Sequence, residues 1–142
     1  MSRSDRAASP VGKTKDVGWQ IGVSRTIPVD VADAWEYLVS PAGLGVWLGE
    51  GVEVPLVKGA RYETADGTTG EVRSLRPGDR VRLTWQPADR ADPATVQVAL
   101  APAKTGCAFR FHAERLHDAD EREAMRAHFR GIIDRIEADL AG

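Results

Sequence analysis

The apolar residues in the last part of the chain recur at steps of three and four. They are Met125, Phe129, Ile132, Ile133, Ile136 and Leu140, which form one continuous stripe on a helix. Asp118 precedes the stripe as a predicted N-cap, and Glu121 stands at the N3 position of a capping box. The spacing predicts a single helix from Asp118 to Leu140, roughly 33 Å long at ~1.5 Å per residue.

Near the start of the chain the apolar positions alternate instead, as they do in a strand. One face of this predicted strand carries Val17, Trp19, Ile21, Val23 and Ile27. Arg25 falls on the same face. It either emerges at the strand end or points into the interior as a cation, and the pattern leaves both alternatives open.

Two short helices are predicted after this strand. Asp30 caps the first, whose helical spacing is kept by Val31, Ala34, Trp35, Leu38 and Val39. Ser40 and Pro41 stop that helix and start the second, with serine as N-cap and proline at the first helical position. The apolar side of the second helix is formed by Leu44, Trp47 and Leu48.

The middle of the chain is typical of a meander of hairpins. The predicted strands are Val52–Val57, Ala60–Thr64, Thr69–Leu75 and Arg80–Gln86, followed by two that carry Val96, Val98 and Leu100 and then Cys107, Phe109 and Phe111 in phase. Pro55 makes the first of these an edge or irregular strand. A two-residue turn at Pro77 and Gly78 would place Gly70 opposite Trp85, where a glycine leaves room for the indole ring.

The side chain of Tyr62 is expected to face the interior. A three-residue loop around Asp66 and Gly67 points Tyr62 inward, whereas a two-residue turn would point Arg61 and Glu63 inward. Two charges in an apolar interior cost far more than one phenol with a polar tip. The three-residue loop is therefore the prediction.

The order of elements predicts an α+β fold. Seven strands at ~4.8 Å spacing form a sheet roughly 34 Å wide, and one helix of ~10 to 12 Å diameter cannot cover it flat. The antiparallel sheet must curve around the helix, with the two short helices closing one end. Side chains of Trp85, Phe109, Phe111, Met125, Phe129 and Ile133 then either line a cavity or pack together as a solid core.

Length and charge limit the class of protein. A chain of 142 residues fits one domain, predicted here as residues 17–142 behind a polar, disordered tail of residues 1–16. A net charge of −2 gives no general attraction to nucleic acid or to an anionic membrane. No apolar run is long enough to insert in a membrane, and the single cysteine, Cys107, excludes an internal disulfide. We expect a cytoplasmic protein.

The sequence carries no recognisable catalytic constellation. The three histidines, His112, His117 and His128, are spaced by five and eleven residues, which matches no zinc template. No nucleophile elbow, phosphate-binding glycine loop or dinucleotide fingerprint is present, so no metal or cofactor is expected. His128 flanks the apolar stripe and could reach the cavity wall as a proton donor.

Several segments together resemble a known superfamily. They are RTIPVDVADAWEYLVSPAGLGVWLG, KGARYETADGTTGEVRSLRPGDRVRLTW, FRFHAERL and HFRGIIDRIEADL, and they extend from about Trp19 to Leu140. In this order they resemble the SRPBCC or START-like superfamily, and within it the proteins similar to the activator of heat-shock-protein-90 ATPase. His128 and Phe129 stand where that family usually has Gly-Trp, so the aromatic is kept and the glycine is lost.

The resemblance implies the helix-grip fold of START and Bet v-like proteins, with an apolar cavity between the sheet and the last helix. The candidate ligand-binding residues are Trp47, Tyr62, Trp85, Phe109, Phe111, Met125, Phe129 and Ile133, with Arg25 and His128 as candidate polar groups. The favoured function is binding of an apolar or aromatic, polyketide-like molecule, with sequestration for bacterial self-resistance to an antibiotic as one role. The alternatives are a polyketide cyclase or aromatase and a module that contacts the chaperone.

Overall fold

The computed structural model describes residues 13–14 and 18–141, and these residues form one antiparallel sheet and three helices. The strands are β1 Lys13–Thr14, β2 Gly18–Ile27, β3 Arg61–Glu63, β4 Thr69–Arg76, β5 Arg80–Trp85, β6 Ala94–Ala103 and β7 Gly106–Leu116. The helices are α1 Val31–Leu38, α2 Pro41–Trp47 and α3 Ala119–Ala141. Their order along the chain places both short helices between β2 and β3, as the sequence predicted.

The sheet and the last helix form the predicted helix-grip arrangement. The strand order is β1-β2-β7-β6-β5-β4-β3, so the first long strand pairs with the last and the hairpin meander continues outward. Helix α3 lies against β2 and β7, and α1 and α2 pack at one end of the same interior. The α+β fold with a sheet around a long C-terminal helix is confirmed.

Helix α3 begins at its predicted cap. The Asp118 carboxylate accepts a hydrogen bond from the Glu121 backbone N–H at 2.8 Å. The other half of the predicted capping box is absent, because the Glu121 carboxylate accepts from the His117 backbone N–H at 2.7 Å instead. The predicted stripe faces the sheet: the buried residues of α3 are Met125, Phe129, Ile132, Ile133 and Ile136.

The two short helices also begin where their caps predict. The Asp30 carboxylate accepts from the Asp33 N–H at 2.9 Å, and the Ser40 hydroxyl accepts from the Gly43 N–H at 3.1 Å. Gly43 is needed for a second reason, because a Cβ at this position would lie 1.8 Å from the Tyr37 carbonyl oxygen. The two helices can therefore approach each other closely only at a glycine.

The predicted strand at residues 52–57 is wrong, and the sheet still has seven strands because of a strand that was not predicted. Residues 52–57 form no strand, and the Val54–Pro55 peptide bond is cis. The seventh strand is Lys13–Thr14, which pairs with Trp19 and Gly18. The expected disordered tail is therefore wrong for these two residues, and the rest of residues 1–16 lies outside the described residues.

The register of the β4–β5 hairpin differs from the prediction near its turn. Arg76 pairs with Arg80, so the turn is Pro77-Gly78-Asp79 rather than two residues long, and a bulge between Val72 and Ser74 absorbs the shift. Beyond the bulge Val72 pairs with Leu83, which is the register that the predicted pairing of Gly70 with Trp85 implies. The sequence pattern could not show this bulge, because the bulge changes the pairing of residues beside the turn and leaves the alternation of apolar positions unchanged.

Candidate functional site

A cleft of about 590 Å³ opens between the first turns of α3 and residues 87–93, the loop that joins β5 to β6. Its apolar wall is formed by Trp85, Pro87, Ala91, Ala124 and Met125. Its polar wall is formed by Asp89, Arg90, His117, Glu121 and His128. A concave site with one apolar wall and a few convergent polar groups is the usual form of a small-molecule site.

Two aromatic side chains meet in this cleft. The ring centroids of Trp85, at the end of β5, and His128, on α3, lie 6.1 Å apart with a tilt of 34°. At this separation the indole and the imidazole are close enough to contact one aromatic ligand together, and we call the two rings the aromatic surface of the cleft. The sequence predicted Trp85, Met125 and His128 as site residues, and the structure brings all three together here.

The opposite wall is held by a buried arginine. The Arg90 side chain is only 5 % exposed, and its Nε and Nη2 atoms donate to the two carboxylate oxygens of Glu121 at 2.8 and 2.9 Å. Nη1 donates to the carbonyl and the carboxylate of Asp92, and Nη2 also donates to the Arg115 carbonyl at 2.9 Å. All five N–H donors of a guanidinium are thus in use. We call Arg90, Asp92, His117 and Glu121 the loop latch.

His117 completes the hydrogen-bond network of the loop latch. The His117 Nε2 atom lies 2.6 Å from the Asp92 carboxylate, while the His117 backbone N–H donates to Glu121. Hydrogen bonds from Arg90, the larger cause, and from the His117 N–H lower the pKa of the Glu121 carboxyl below its usual range. The latch joins the loop to the N-terminus of α3 and sets the width of the cleft.

Arg115 carries backbone strain beside the latch. Its φ of 65° lies in the left-handed region, which costs a non-glycine residue roughly 1–2 kcal/mol. The pairing of β2 with β7 shifts by one residue at this point, between Trp19 and Ile21. The resulting bulge turns the Arg115 carbonyl toward Arg90, and this hydrogen bond helps to offset the strain.

His128 is the group of the cleft that is suited to proton transfer. The residue as a whole is exposed, whereas desolvation of its imidazole beside Trp85 and Phe129 lowers the pKa of His128 below the usual value. The ring is therefore neutral near pH 7 and can accept a proton. No carboxylate within the described residues forms a hydrogen bond with it, so it lacks the orienting partner that a catalytic histidine usually has.

A family model described as Activator of Hsp90 ATPase homolog 1-like protein matches residues 28–141. The chain belongs to this family. The resemblance drawn from the sequence segments is thereby confirmed, including its extent through the last helix. A comparison with curated proteins found no match.

Solved structures share the fold of this Hsp90-ATPase-activator-homologue-like chain. DynU16, a protein of the dynemicin biosynthetic locus, is 20% identical with a TM-score of 0.76; the match covers 86% of this chain and 47% of DynU16, about half its length. Protein MLL2253 from Mesorhizobium loti is 21% identical with a TM-score of 0.73, and the match covers 86% of this chain and 96% of that protein. An HSP90 activator from Plasmodium falciparum is 15% identical with a TM-score of 0.70, and the match covers 87% and 97% of the two chains.

Within this family member, four of the predicted ligand-binding residues lie in the core rather than in the cleft. Phe109 and Ile133 are 0 % exposed, Phe111 is 1 % exposed and Phe129 is 2 % exposed. The Phe111 and Phe129 rings lie 5.5 Å apart, and Phe129 is also 6.2 Å from the His128 ring. These four side chains fill the space between the sheet and α3, and Phe129 joins this packed core to the Trp85–His128 surface.

Trp47 and Tyr62 are also placed away from the cleft. The Trp47 ring lies 6.4 Å from Phe111, and its indole N–H donates to the Leu38 carbonyl at 2.9 Å, which ties α2 to α1. Tyr62 is buried and faces Gly70, and its hydroxyl donates to the Thr84 carbonyl at 2.6 Å. Burial raises the pKa of the Tyr62 phenol above its usual range.

The inward orientation of Tyr62 was predicted correctly, and so was the three-residue loop that causes it. Thr64 pairs with Thr68 across that loop, and Arg61 and Glu63 are exposed. Gly70 makes room for the phenol and not for the indole of Trp85, since a Cβ there would lie 2.6 Å from the Tyr62 ring.

Arg25 does not enter the interior. Its guanidinium pairs with Asp134 at 2.6 Å and with Glu137 at 3.0 Å on the polar side of α3, and its side chain is 34 % exposed. These carboxylates, Asp134 first, raise the pKa of Arg25 further. Of the two alternatives left by the sequence, the first holds: Arg25 emerges near the end of β2, so it is not a polar group of the cleft.

The loop latch was not predicted from the sequence. Residues 87–93 had the composition of an ordinary polar loop, and Glu121 was explained by helix capping alone. The partners Arg90 and Glu121 are 31 positions apart, so only the closed sheet brings them together. The proximity of Arg90, Asp92 and the Arg115 carbonyl likewise depends on pairing between β6 and β7.

Within residues 13–14 and 18–141, no three His, Cys, Asp or Glu side chains are grouped in a way that could hold a metal ion. None of the helices in the same ranges is both long and apolar enough to cross a membrane.

Proposed function

We propose that this protein binds an apolar or aromatic small molecule in the cleft between α3 and the 87–93 loop. The observation that carries the proposal is the cleft itself, about 590 Å³ in volume with Trp85, Met125 and His128 on adjacent surfaces. This volume lies within the range of about 300–1,000 Å³ that is usual for small-molecule sites. A polyketide-like aromatic is the favoured ligand class.

The chemistry of the cleft supports binding over catalysis. Glu121 and Arg90 satisfy each other, so neither offers a free acid, base or cation to a substrate. His128 and the exposed Asp89 remain as candidate proton-transfer groups, and within the described residues no hydrogen bond joins or orients them. Proton transfer by groups without an orienting partner is weak catalysis, whereas the apolar wall stabilises a bound ring without further groups.

DynU16, which shares this fold, is a protein of a biosynthetic locus, a setting in which a small-molecule binder would meet its ligand. At 20% identity the likeness shows the shared fold alone, so the role of the chain is proposed from its own cleft. Sequestration of the ligand, as in self-resistance to an antibiotic, is a role that a non-catalytic binder in such a setting could fill. It predicts that expression of the chain protects a sensitive host.

The experiment measures quenching of tryptophan emission by neutral polycyclic aromatics. We expect saturable quenching that Trp85→Phe removes and that Met125→Ala weakens by an amount on the order of 1–3 kcal/mol in binding free energy. Trp35→Phe is the matched control, because Trp35 lies on α1, outside the residues that line the cleft. The ligand should be recovered chemically unchanged.

Three results would redirect the interpretation. Turnover that collapses in His128→Gln would establish the enzyme alternative, a cyclase or aromatase. Binding that survives Trp85→Phe but fails in a variant of the core would move the site away from the cleft. Absence of both binding and turnover would leave contact with the heat-shock-protein-90 chaperone as the function to test.

A further inference from the structure

The charged groups around the cleft are dominated by carboxylates. Asp89 lines the cleft, and the loop latch adds the carboxylates of Asp92 and Glu121 against the single guanidinium of Arg90. Counted without the histidines, these four side chains have a net charge of −2. A concave wall with an excess of one sign of charge favours ligands of the opposite sign.

The guanidinium of Arg90 is not available to bind an anionic ligand. Its five N–H groups are all directed at Glu121, Asp92 and the Arg115 carbonyl, so an anion in the cleft would have to displace one of them. Displacing a buried hydrogen bond to a charged group is costly. At the positive end of the α3 dipole the Asp118 carboxylate already accepts the Glu121 backbone N–H, and the Glu121 carboxylate lies in the first turn, so a further anion is disfavoured there.

Asp89 is the carboxylate of this set that remains available. It is exposed on the loop, and no side chain in the described residues donates a hydrogen bond or forms an ion pair with it. It shares the cleft with the aromatic surface of Trp85 and His128. A ligand lying on that surface would therefore place its substituents within reach of the Asp89 carboxylate.

We infer that the ligand is an aromatic molecule that carries a positively charged amine, with its ring on Trp85 and His128 and its amine beside Asp89. The inference rests on the proposed function and names the chemical class that the same cleft selects. The ring supplies apolar burial, and the amine supplies discrimination against neutral and anionic aromatics of the same size.

The test uses three naphthalene probes that share the ring and differ in the charge of a one-carbon substituent: 2-naphthylmethylamine, 2-naphthylmethanol and 2-naphthoate. Calorimetric titration at pH 7.5 and low ionic strength should show the amine binding about 3- to 10-fold more tightly than the alcohol, and the carboxylate about as much more weakly. The preference for the amine should shrink at 0.5 M salt, where exposed charges are screened at roughly 4 Å.

Asp89→Asn isolates the proposed contact. The affinity for the amine should fall to that of the alcohol, while the affinity for the alcohol stays within about twofold. Asp79→Asn is the matched control: it removes the same charge from the β4–β5 turn, which lies outside the cleft lining, and should leave the preference intact.

The outcomes separate this inference from the proposed function. If no probe binds, the proposed function fails and the inference fails with it. If the probes bind without a charge order, or the carboxylate binds best, the inference is overturned and the binding protein stands. An equal loss of preference in Asp89→Asn and Asp79→Asn would also overturn it, because the effect would then belong to net charge rather than to Asp89.

Discussion

The two ends of α3 face the same sheet and are packed in opposite ways. Around Phe129 and Ile133 the helix meets Phe109 and Phe111, and all four side chains are at most 2 % exposed. Around Glu121 and Met125 the helix faces the 87–93 loop across an open cleft of about 590 Å³. The apolar stripe of α3 is therefore buried in the core along most of the helix, whereas near the N-terminus of the helix it borders the cleft.

The difference comes from what fills the gap between helix and sheet. Aromatic rings at the closed end are large enough to reach across and pack to high density. At the open end the gap is bridged by Arg90 and Glu121, whose hydrogen bonds demand fixed geometry and prevent the loop from collapsing onto α3. An ion pair can therefore keep a cleft open where apolar side chains would close it.

The largest effect on stability should come from a substitution at the closed end, where the side chains around Phe129 and Ile133 are tightly packed. Phe129→Ala should lower the free energy of unfolding by about 3–5 kcal/mol, because Phe129 is 2 % exposed and contacts Phe111 within a packed core. Urea unfolding measures this. Met125→Ala, which borders the cleft, should cost clearly less. A small loss in Phe129→Ala would mean that an empty cavity already exists at the closed end.

The next effect should come from the loop latch. Arg90→Met should lower the free energy of unfolding by about 2–4 kcal/mol, since it leaves the Glu121 carboxylate without its guanidinium in a mostly buried place. Arg25→Met is the control: its pair with Asp134 is exposed, and the change should cost under about 1 kcal/mol. Equal costs at the two sites would show that the latch is not a buried structural pair.

A smaller effect on stability should come from Tyr62→Phe, which tests whether Tyr62 contributes to stability or to ligand binding. Tyr62→Phe should cost about 1–2 kcal/mol, because the Thr84 carbonyl loses its donor at a buried position. Affinity for aromatic probes should be unchanged, since Tyr62 lies outside the cleft lining. A Tyr62→Phe protein with normal stability and weakened probe binding would restore Tyr62 as a ligand-binding residue.

The smallest effect should be the pH dependence contributed by His128. Burial lowers the pKa of His128 in the folded state below the unfolded value near ~6.5, so the unfolded chain binds more protons between these two values. Stability should therefore fall as the pH drops through this window. His128→Gln should show a smaller decrease in Tm between pH 7.5 and 5.5 than the parent protein.

His112 must be tested alongside it, because its pKa is also lowered, chiefly by burial. His112→Gln should remove a second part of the decrease, and the double variant should be the flattest of the four proteins. An undiminished decrease in His128→Gln would show that the imidazole is as well solvated when folded as when unfolded.

Local sequence signals determined the helices and most of the strands. The caps Asp30, Ser40 and Asp118 begin their helices as predicted, because a side-chain acceptor three residues before a free N–H acts within one turn. The inward side of Tyr62 followed from the cost of burying charges, which is also a local comparison. These features needed no knowledge of distant contacts.

Tertiary structure decided what the local signals left open. The pattern placed Phe109 and Trp85 alike on inner faces, and only the packed fold shows that the first is sealed in the core and the second borders a cleft. Arg25 stays outside because Asp134 and Glu137, more than 100 positions later, pair with it near the end of β2. Arg90 and Glu121 form the latch because sheet closure brings them together, and ion pairs between distant residues leave no periodic trace in a sequence.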